Sequence, residues 1–79
     1  MDLDHVIDIF VELEEDSGVS KGVKVKIIAM KNELKNTKDL NLSVNKILSD
    51  LEELSSDVNI PGYVRTQFWH VTSVLESLS

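Results

Sequence analysis

The sequence predicts an all-α domain in which four antiparallel helices form two tandem helical hairpins, packed as one bundle. Apolar residues recur at spacings of three and four in four segments, and no segment alternates with period two for long. The connecting segments are short, about five residues each, which makes consecutive helices antiparallel neighbours. A chain of 79 residues is predicted to form a single domain, residues 1–79. The predicted helices cover residues 3–15, 21–36, 42–55 and 61–78.

The first predicted hairpin has a turn at residues 16–18 and a serine before its second helix. Gly18 is expected to supply the C-terminal conformation that ends the first helix. The Ser20 hydroxyl can accept a hydrogen bond from the first turn of the second helix. The apolar stripes of the two helices are Leu3, Val6, Ile7, Phe10 and Leu13, and Val23, Ile27, Met30 and Leu34.

The second predicted hairpin carries comparable signals. Asn41 or Ser43 is expected to cap its first helix. Pro61 opens its second helix, because proline is favoured at the first helical position. The apolar stripes of these two helices are Val44, Ile47, Leu48, Leu51 and Leu54, and Val64, Phe68, Val71, Leu75 and Leu78. The two pairs of stripes predict one shared core.

An internal repeat relates the two hairpins, since residues 1–38 align with residues 42–79 at an offset of 41. The matched positions include Asp16 with Asp57, Val23 with Val64, and Lys24 with Arg65. Each unit is a helix, a turn that opens with Asp, and a helix with an apolar–basic pair near its start. In its period and its Asp…Val-[Lys/Arg] pattern the unit resembles HEAT-type helical repeats, which implies a HEAT-like four-helix bundle.

A longer motif, Asp-x-Asn-Ile-Pro-x-x-x-Arg-Thr-x-x-Trp, lies at the start of the fourth helix. Its residues are Asp57, Asn59, Ile60, Pro61, Arg65, Thr66 and Trp69. Through this motif and a weaker copy at residues 13–34, nearly the whole chain resembles a small archaeal family known as uncharacterised protein family 0147. The resemblance implies an intracellular, all-helical domain of four helices with no assigned activity.

The motif's polar residues have a structural and a functional interpretation. Asp57 and Asn59 can bond the free N–H groups of the helix that follows. Arg65 lies one turn inside that helix and is predicted to clamp a turn carboxylate, either Asp57 or its repeat counterpart Asp16. The functional interpretation is that Arg65 holds an external carboxylate or phosphate. The structural clamp is favoured.

Several apolar residues lie outside the predicted stripes. Tyr63 and Trp69 lie off the seam of the fourth helix, and Val25 and Ile28 lie off the stripe of the second. A helix that is apolar on two faces is usually buried on two faces, and two repeats are fewer than the three or so of a stable solenoid. We therefore predict an interaction patch of Tyr63, Trp69, His70, Val25 and Ile28 for a partner protein or a second copy in a homodimer.

Charge is segregated along the chain, with −7 in residues 1–16 and +5 in residues 17–38. Four lysines lie within an arc of about 60° beside the apolar stripe of the second helix. They are Lys24, Lys31, Lys35 and Lys38. They could form an anion-binding strip, or they could pair with the acidic flank of the first helix, where Asp4, Asp8, Glu12 and Glu15 recur. Pairing is favoured because the net charge of −6 makes nucleic acid an improbable partner.

No catalytic, metal or cofactor site is predicted. His5 and His70 have no spacing typical of metal ligands, and the sequence contains no recognisable nucleophile–base pair or phosphate-binding loop. No apolar run approaches the roughly 18 residues of a transmembrane helix. The absence of cysteine favours a cytoplasmic location.

The expected function is therefore that of a non-enzymatic protein-interaction or assembly module. The alternative is an RNA- or ribosome-associated accessory protein that uses the lysines of the second helix. The two hypotheses differ in the surface they use, since the first depends on exposed apolar residues and the second on exposed lysines.

Overall fold

The described part of the chain forms four helices, as the sequence predicts. The computed structural model describes residues 2–78, and the side chains of residues 3–78. The helices are α1 (Asp2–Glu14), α2 (Lys21–Asn36), α3 (Leu40–Ser55) and α4 (Gly62–Leu78). The predicted all-α fold is thereby confirmed, with boundaries within two residues of those expected.

Capping residues set the helix starts. The Ser20 hydroxyl accepts a hydrogen bond from the Val23 N–H at 3.3 Å, as predicted for α2. The predicted start of α3 was wrong by two residues, because Asp39 caps this helix in place of Asn41 or Ser43. The Asp39 carboxylate accepts a hydrogen bond from the Leu42 N–H at 3.2 Å, so regular helix begins at Leu40.

The helices form a closed ring in which each packs against two neighbours. The neighbouring pairs are α1 with α2, α2 with α3, α3 with α4, and α4 with α1, while the backbones of the diagonal pairs lie farther apart. This is the packing of an up-and-down four-helix bundle. The α1–α2 and α3–α4 loops therefore lie at one end, and the α2–α3 loop lies at the other. No helix in residues 2–78 is long and apolar enough to cross a bilayer.

The core follows the predicted stripes along the whole bundle. Its largest fully buried side chains are Phe10 and Phe68. Every stripe residue is buried except four that are partly buried against the core, namely Leu3, Ile7, Leu48 and Leu78. Ile9 of α1 is an additional core residue, as are Val19 and Ile60 from the two loops at the same end. These loop residues pack against the core because their turns direct them inward.

A polar network joins α2 to α3 near the other end. Ser43 is only 3% exposed, and its hydroxyl donates a hydrogen bond to the Glu33 carboxylate at 2.6 Å. Lys46 donates a second hydrogen bond to Glu33 at 3.3 Å. These two bonds hold the pKa of Glu33 below its usual value. The network also explains why Ser43 does not cap α3, since its hydroxyl is directed at Glu33.

We predict that Glu33→Gln weakens the acid sensitivity of the fold. Because the pKa of Glu33 is lowered, its bonds stabilise the protein above the ordinary value of 4.5 and are lost as pH falls through the folded pKa. The urea midpoint of the wild type should fall more between about pH 5 and pH 3 than that of the variant. Glu53→Gln, a change at an exposed site, is the control and should keep the acid response of the wild type.

Candidate functional site

The two loops at one end of the bundle have matching hydrogen bonds. The Asp16 carboxylate accepts from the Gly18 N–H at 2.7 Å. The Asp57 carboxylate accepts from the Asn59 N–H at 2.9 Å. Each aspartate therefore closes its own turn as an Asx residue, at positions 41 apart in the sequence.

Arg65 contacts backbone carbonyls, so the predicted clamp on a carboxylate was wrong. Its Nε donates to the Ser55 carbonyl at 3.0 Å, and its Nη2 donates to the Asp57 carbonyl at 2.8 Å. The reason is local, because the Ser55 carbonyl lies at the end of α3, where carbonyls lack intrahelical partners, and the Asp57 carboxylate already accepts from its own turn. Arg65 stabilises the α3–α4 loop and does not connect the two hairpins.

Tyr63 forms the contact between the hairpins that was predicted for Arg65. Its hydroxyl donates to the Asp16 carboxylate at 3.0 Å. Gly18 lies in the turn after α1, as expected, but without a positive φ. Its role is steric, because a Cβ at this position would collide with the Tyr63 hydroxyl. The bond to Asp16, with desolvation next in size, raises the pKa of Tyr63 above its usual value.

We predict that Asp16→Asn lowers the pKa of Tyr63 toward its ordinary value of 10.0. The wild-type bond requires a protonated phenol, so its contribution to stability is present below that value and is lost as pH rises through the folded pKa. Tyr63 is the only tyrosine, so tyrosinate absorbance reports this group alone. Glu15→Gln makes the same change in charge next to the site. If both variants lower the pKa of Tyr63 equally, the overall negative charge, and not the bond to Asp16, raises it.

The two histidines meet across α1 and α4. Their Nε2 atoms are 3.0 Å apart, and the rings are almost perpendicular on an exposed surface. Sequence reasoning missed this pair because α1 and α4 are distant in the chain. In the described part of the chain, no group of three or more His, Cys, Asp or Glu residues is arranged to hold a metal ion.

Only part of the predicted lysine strip has a partner in α1. Lys31 forms an ion pair with Glu14, and both side chains are largely buried, at 15% and 18% exposure. The partner is Glu14 and none of the four acids expected. Among residues 3–78, Lys24, Lys35 and Lys38 form no ion pair. The strip is therefore interrupted by a structural pair at its centre.

An open groove lies between α3 and α4 on the outer surface of the second hairpin. Its volume is about 300 Å³. It is lined by Leu48, Glu52 and Ser55 of α3, and by Trp69, Thr72 and Glu76 of α4. Trp69 is 58% exposed although it follows Phe68, which is fully buried. The groove thus has an aromatic wall and carboxylates in its lining.

The corresponding surface of the first hairpin has larger side chains at its centre. The positions 41 residues before the six that line the groove are Ile7, Val11, Glu14, Ile28, Lys31 and Lys35. The ion pair of Glu14 with Lys31 spans the two helices there. Ser55 and Thr72 occupy these positions in the second hairpin and are too short to meet in the same way. The exchange of long charged residues for short ones accounts for the open groove.

The predicted interaction patch is divided among separate surfaces. Trp69 lies on the side of α4 next to α3, whereas Tyr63 and His70 contact residues of the first hairpin on the α1 side. Val25 and Ile28 are exposed on α2, which is diagonal to α4. The five residues therefore do not form one continuous patch. Trp69 lines the groove between α3 and α4, whereas His70 lines a separate depression between α1 and α4.

These features define a small up-and-down helical bundle whose candidate site is an open surface groove. The comparisons with known proteins then give the family. Residues 1–78 match the model of the Uncharacterised protein family (UPF0147), and the chain belongs to this family. The resemblance predicted from the Asp57–Trp69 motif is confirmed.

Relatives from three archaea illustrate the similarity. The UPF0147 protein of Archaeoglobus fulgidus is 32% identical, over 98% of this chain and 88% of the relative. That of Aeropyrum pernix is 34% identical, over 91% and 80% respectively. That of Methanothermobacter thermautotrophicus is 33% identical, over 94% and 74%. No solved structure matches the chain.

Proposed function

We propose that this protein is a non-enzymatic, cytoplasmic interaction module that docks a segment of a partner protein in the groove between α3 and α4. The observation that carries the proposal is Trp69, which is 58% exposed at the wall of that groove. Tryptophan is enriched among the residues that contribute most to protein interfaces. A docked segment would bury the exposed part of the indole.

The remaining groove residues fit docking better than catalysis. Leu48 contributes apolar surface, and the Ser55 and Thr72 hydroxyls can form hydrogen bonds with a bound backbone. Neither hydroxyl has a histidine in the groove lining to take its proton, so the lining offers no activated nucleophile of that kind. The absence of cysteine supports the cytoplasmic location.

Self-association and RNA binding are the competing hypotheses. Exposed Val25 and Ile28 on α2 would support contact between copies through a different surface. Lys24, Lys35 and Lys38 could still contact phosphate, but the central Lys31 is paired with Glu14. We favour a protein segment in the groove, because Trp69 supplies the largest exposed aromatic surface of the bundle.

Site-specific photocrosslinking tests the proposal. In one variant a benzophenone amino acid replaces Thr72, which lines the groove. In the control variant the same amino acid replaces Ser73, the next residue of α4, which is exposed. In an extract of the source organism, the Thr72 probe should give a discrete protein adduct that the Ser73 probe lacks. Trp69→Ala should abolish the adduct, and the purified partner should change the fluorescence of Trp69.

Three outcomes would contradict the groove proposal. Equal adducts from both probes would show that the groove is not selective, and an adduct that survives Trp69→Ala would show that the indole is not a contact. An adduct with a second copy of the chain would establish self-association instead. RNA binding predicts a different result, namely an affinity that falls steeply with salt and with charge reversal at Lys35 and Lys38.

A further inference from the structure

We infer that the groove receives a lysine or arginine side chain of a partner protein, stacked on the Trp69 indole and facing the Glu52 carboxylate. The inference rests on the proposed function and names the kind of segment that is bound. It follows from three properties of the groove, which are its charge, its aromatic wall and its apolar floor.

The first property is an acidic groove on an acidic hairpin. Residues 39–79 carry a net charge of −4. Glu52 is exposed and lines the groove, whereas the matching position in the first hairpin is the apolar Val11. The second hairpin therefore has a carboxylate where the first has a valine, and this negative charge lies in the open groove. An anionic ligand such as a nucleic acid would be repelled at this position.

The second property is the indole beside the carboxylate. A cation over the face of tryptophan is attracted by the negative potential of the ring, and the attraction grows as water is removed. Arginine can additionally stack its planar guanidinium on the ring and pair with a carboxylate. Trp69 and Glu52 line one groove from opposite helices, so a single long basic side chain placed between them can contact both.

The third property is the apolar floor. Leu48 is partly buried against the core and lies in the groove lining. Lysine and arginine carry aliphatic stems that cover apolar surface while their charged ends remain near water. Leu48 can therefore contact the aliphatic stem of the basic side chain, and the Glu52 carboxylate can face its charged end. A small inorganic cation would make no use of Leu48 or of most of the indole, whereas a basic side chain of a partner protein would contact both.

A selection for peptide ligands tests this inference. A random peptide library displayed on phage is panned on the wild-type protein and counter-selected on Trp69→Ala. Enriched peptides should contain lysine or arginine well above the input frequency, next to an apolar residue. A synthetic copy of an enriched peptide should change the fluorescence of Trp69, which is the only tryptophan of the chain.

Charge variants then locate the contact. Glu52→Gln should weaken binding of the basic peptide about tenfold, as expected for loss of a charged partner at a partly desolvated site. Glu53→Gln removes the same charge from the adjacent exposed position outside the groove lining and should change affinity by less than about twofold. A peptide with glutamine in place of each basic residue should bind about tenfold more weakly to the wild type.

The outcomes separate this inference from the proposed function. Enrichment of apolar peptides without basic residues would overturn the inference and leave the groove as a docking site. Equal effects of Glu52→Gln and Glu53→Gln would also overturn it, because the charge would then act at long range. If no peptide is enriched over Trp69→Ala and the Thr72 and Ser73 crosslinks are equal, both the inference and the proposed function are wrong.

Discussion

Phe68→Ala is expected to destabilise the protein by about 3–5 kcal/mol, the range for removing a buried phenylalanine side chain. Phe68 is fully buried at the centre of α4. A domain of this size has little stability in reserve, since small proteins lie near the lower end of the usual 5–15 kcal/mol. Urea unfolding followed by circular dichroism should show a midpoint lowered by several molar or a variant that is largely unfolded in buffer.

Trp69→Ala is the matched control, because it changes the next residue along the same helix. Most of the Trp69 side chain is exposed, so its removal should cost less than about 1 kcal/mol. A loss of stability comparable to that of Phe68→Ala would show that Trp69 is a packing residue. Trp69 would then not be available to contact a partner in the groove. The contrast between the two neighbours therefore tests the core and the candidate site in one experiment.

The helices could be predicted because periodicity reports burial directly. The stripes of α2 and α4 are all buried apart from Leu78, which is partly buried, since a helix with one apolar face has one stable orientation against a core. The start of α3 was less predictable. Asp39, Asn41 and Ser43 can all act as caps, and the choice depends on Glu33, which attracts the Ser43 hydroxyl from another helix.

The polar contacts of the site were harder to predict than the core. Arg65 had a choice between two carboxylates and several carbonyls, and it bonds the Ser55 carbonyl in the last turn of α3 and the Asp57 carbonyl in the loop. The bond between Tyr63 and Asp16 and the pair of His5 with His70 both depend on contact between the first hairpin and α4. Periodicity does not state how helices far apart in sequence are arranged, so these partners required the structure.

The internal repeat predicted the exposure of Trp69 correctly but not which residues lie beside it. Sequence reasoning placed Trp69 off the core seam, and the structure confirms that it is exposed. It grouped Trp69 with Val25 and Ile28 because their helices correspond in the repeat, but corresponding helices lie diagonally across the bundle. The repeat therefore shows which positions of the two hairpins correspond, but it does not show that those positions lie on one surface.

The double variant Ser55→Glu/Thr72→Lys should close the groove, because it gives the second hairpin the charged pair of the first. It places a glutamate and a lysine at the positions that Glu14 and Lys31 occupy in the first hairpin. The new ion pair would span α3 and α4 beside Trp69 and exclude a bound segment. We expect affinity for a groove-binding peptide, measured by Trp69 fluorescence, to fall at least about tenfold, which corresponds to about 1.4 kcal/mol.

Stability should change little in the same variant, because a new ion pair near the surface contributes about 0–1 kcal/mol. Each single substitution is a control, since Ser55→Glu adds a carboxylate without its partner and Thr72→Lys adds a cation without its partner. Thr72→Lys alone should already weaken a basic peptide by repulsion, while Ser55→Glu alone should not. If the double variant folds normally and still binds as the wild type does, the segment must dock outside the space between Ser55, Thr72 and Trp69.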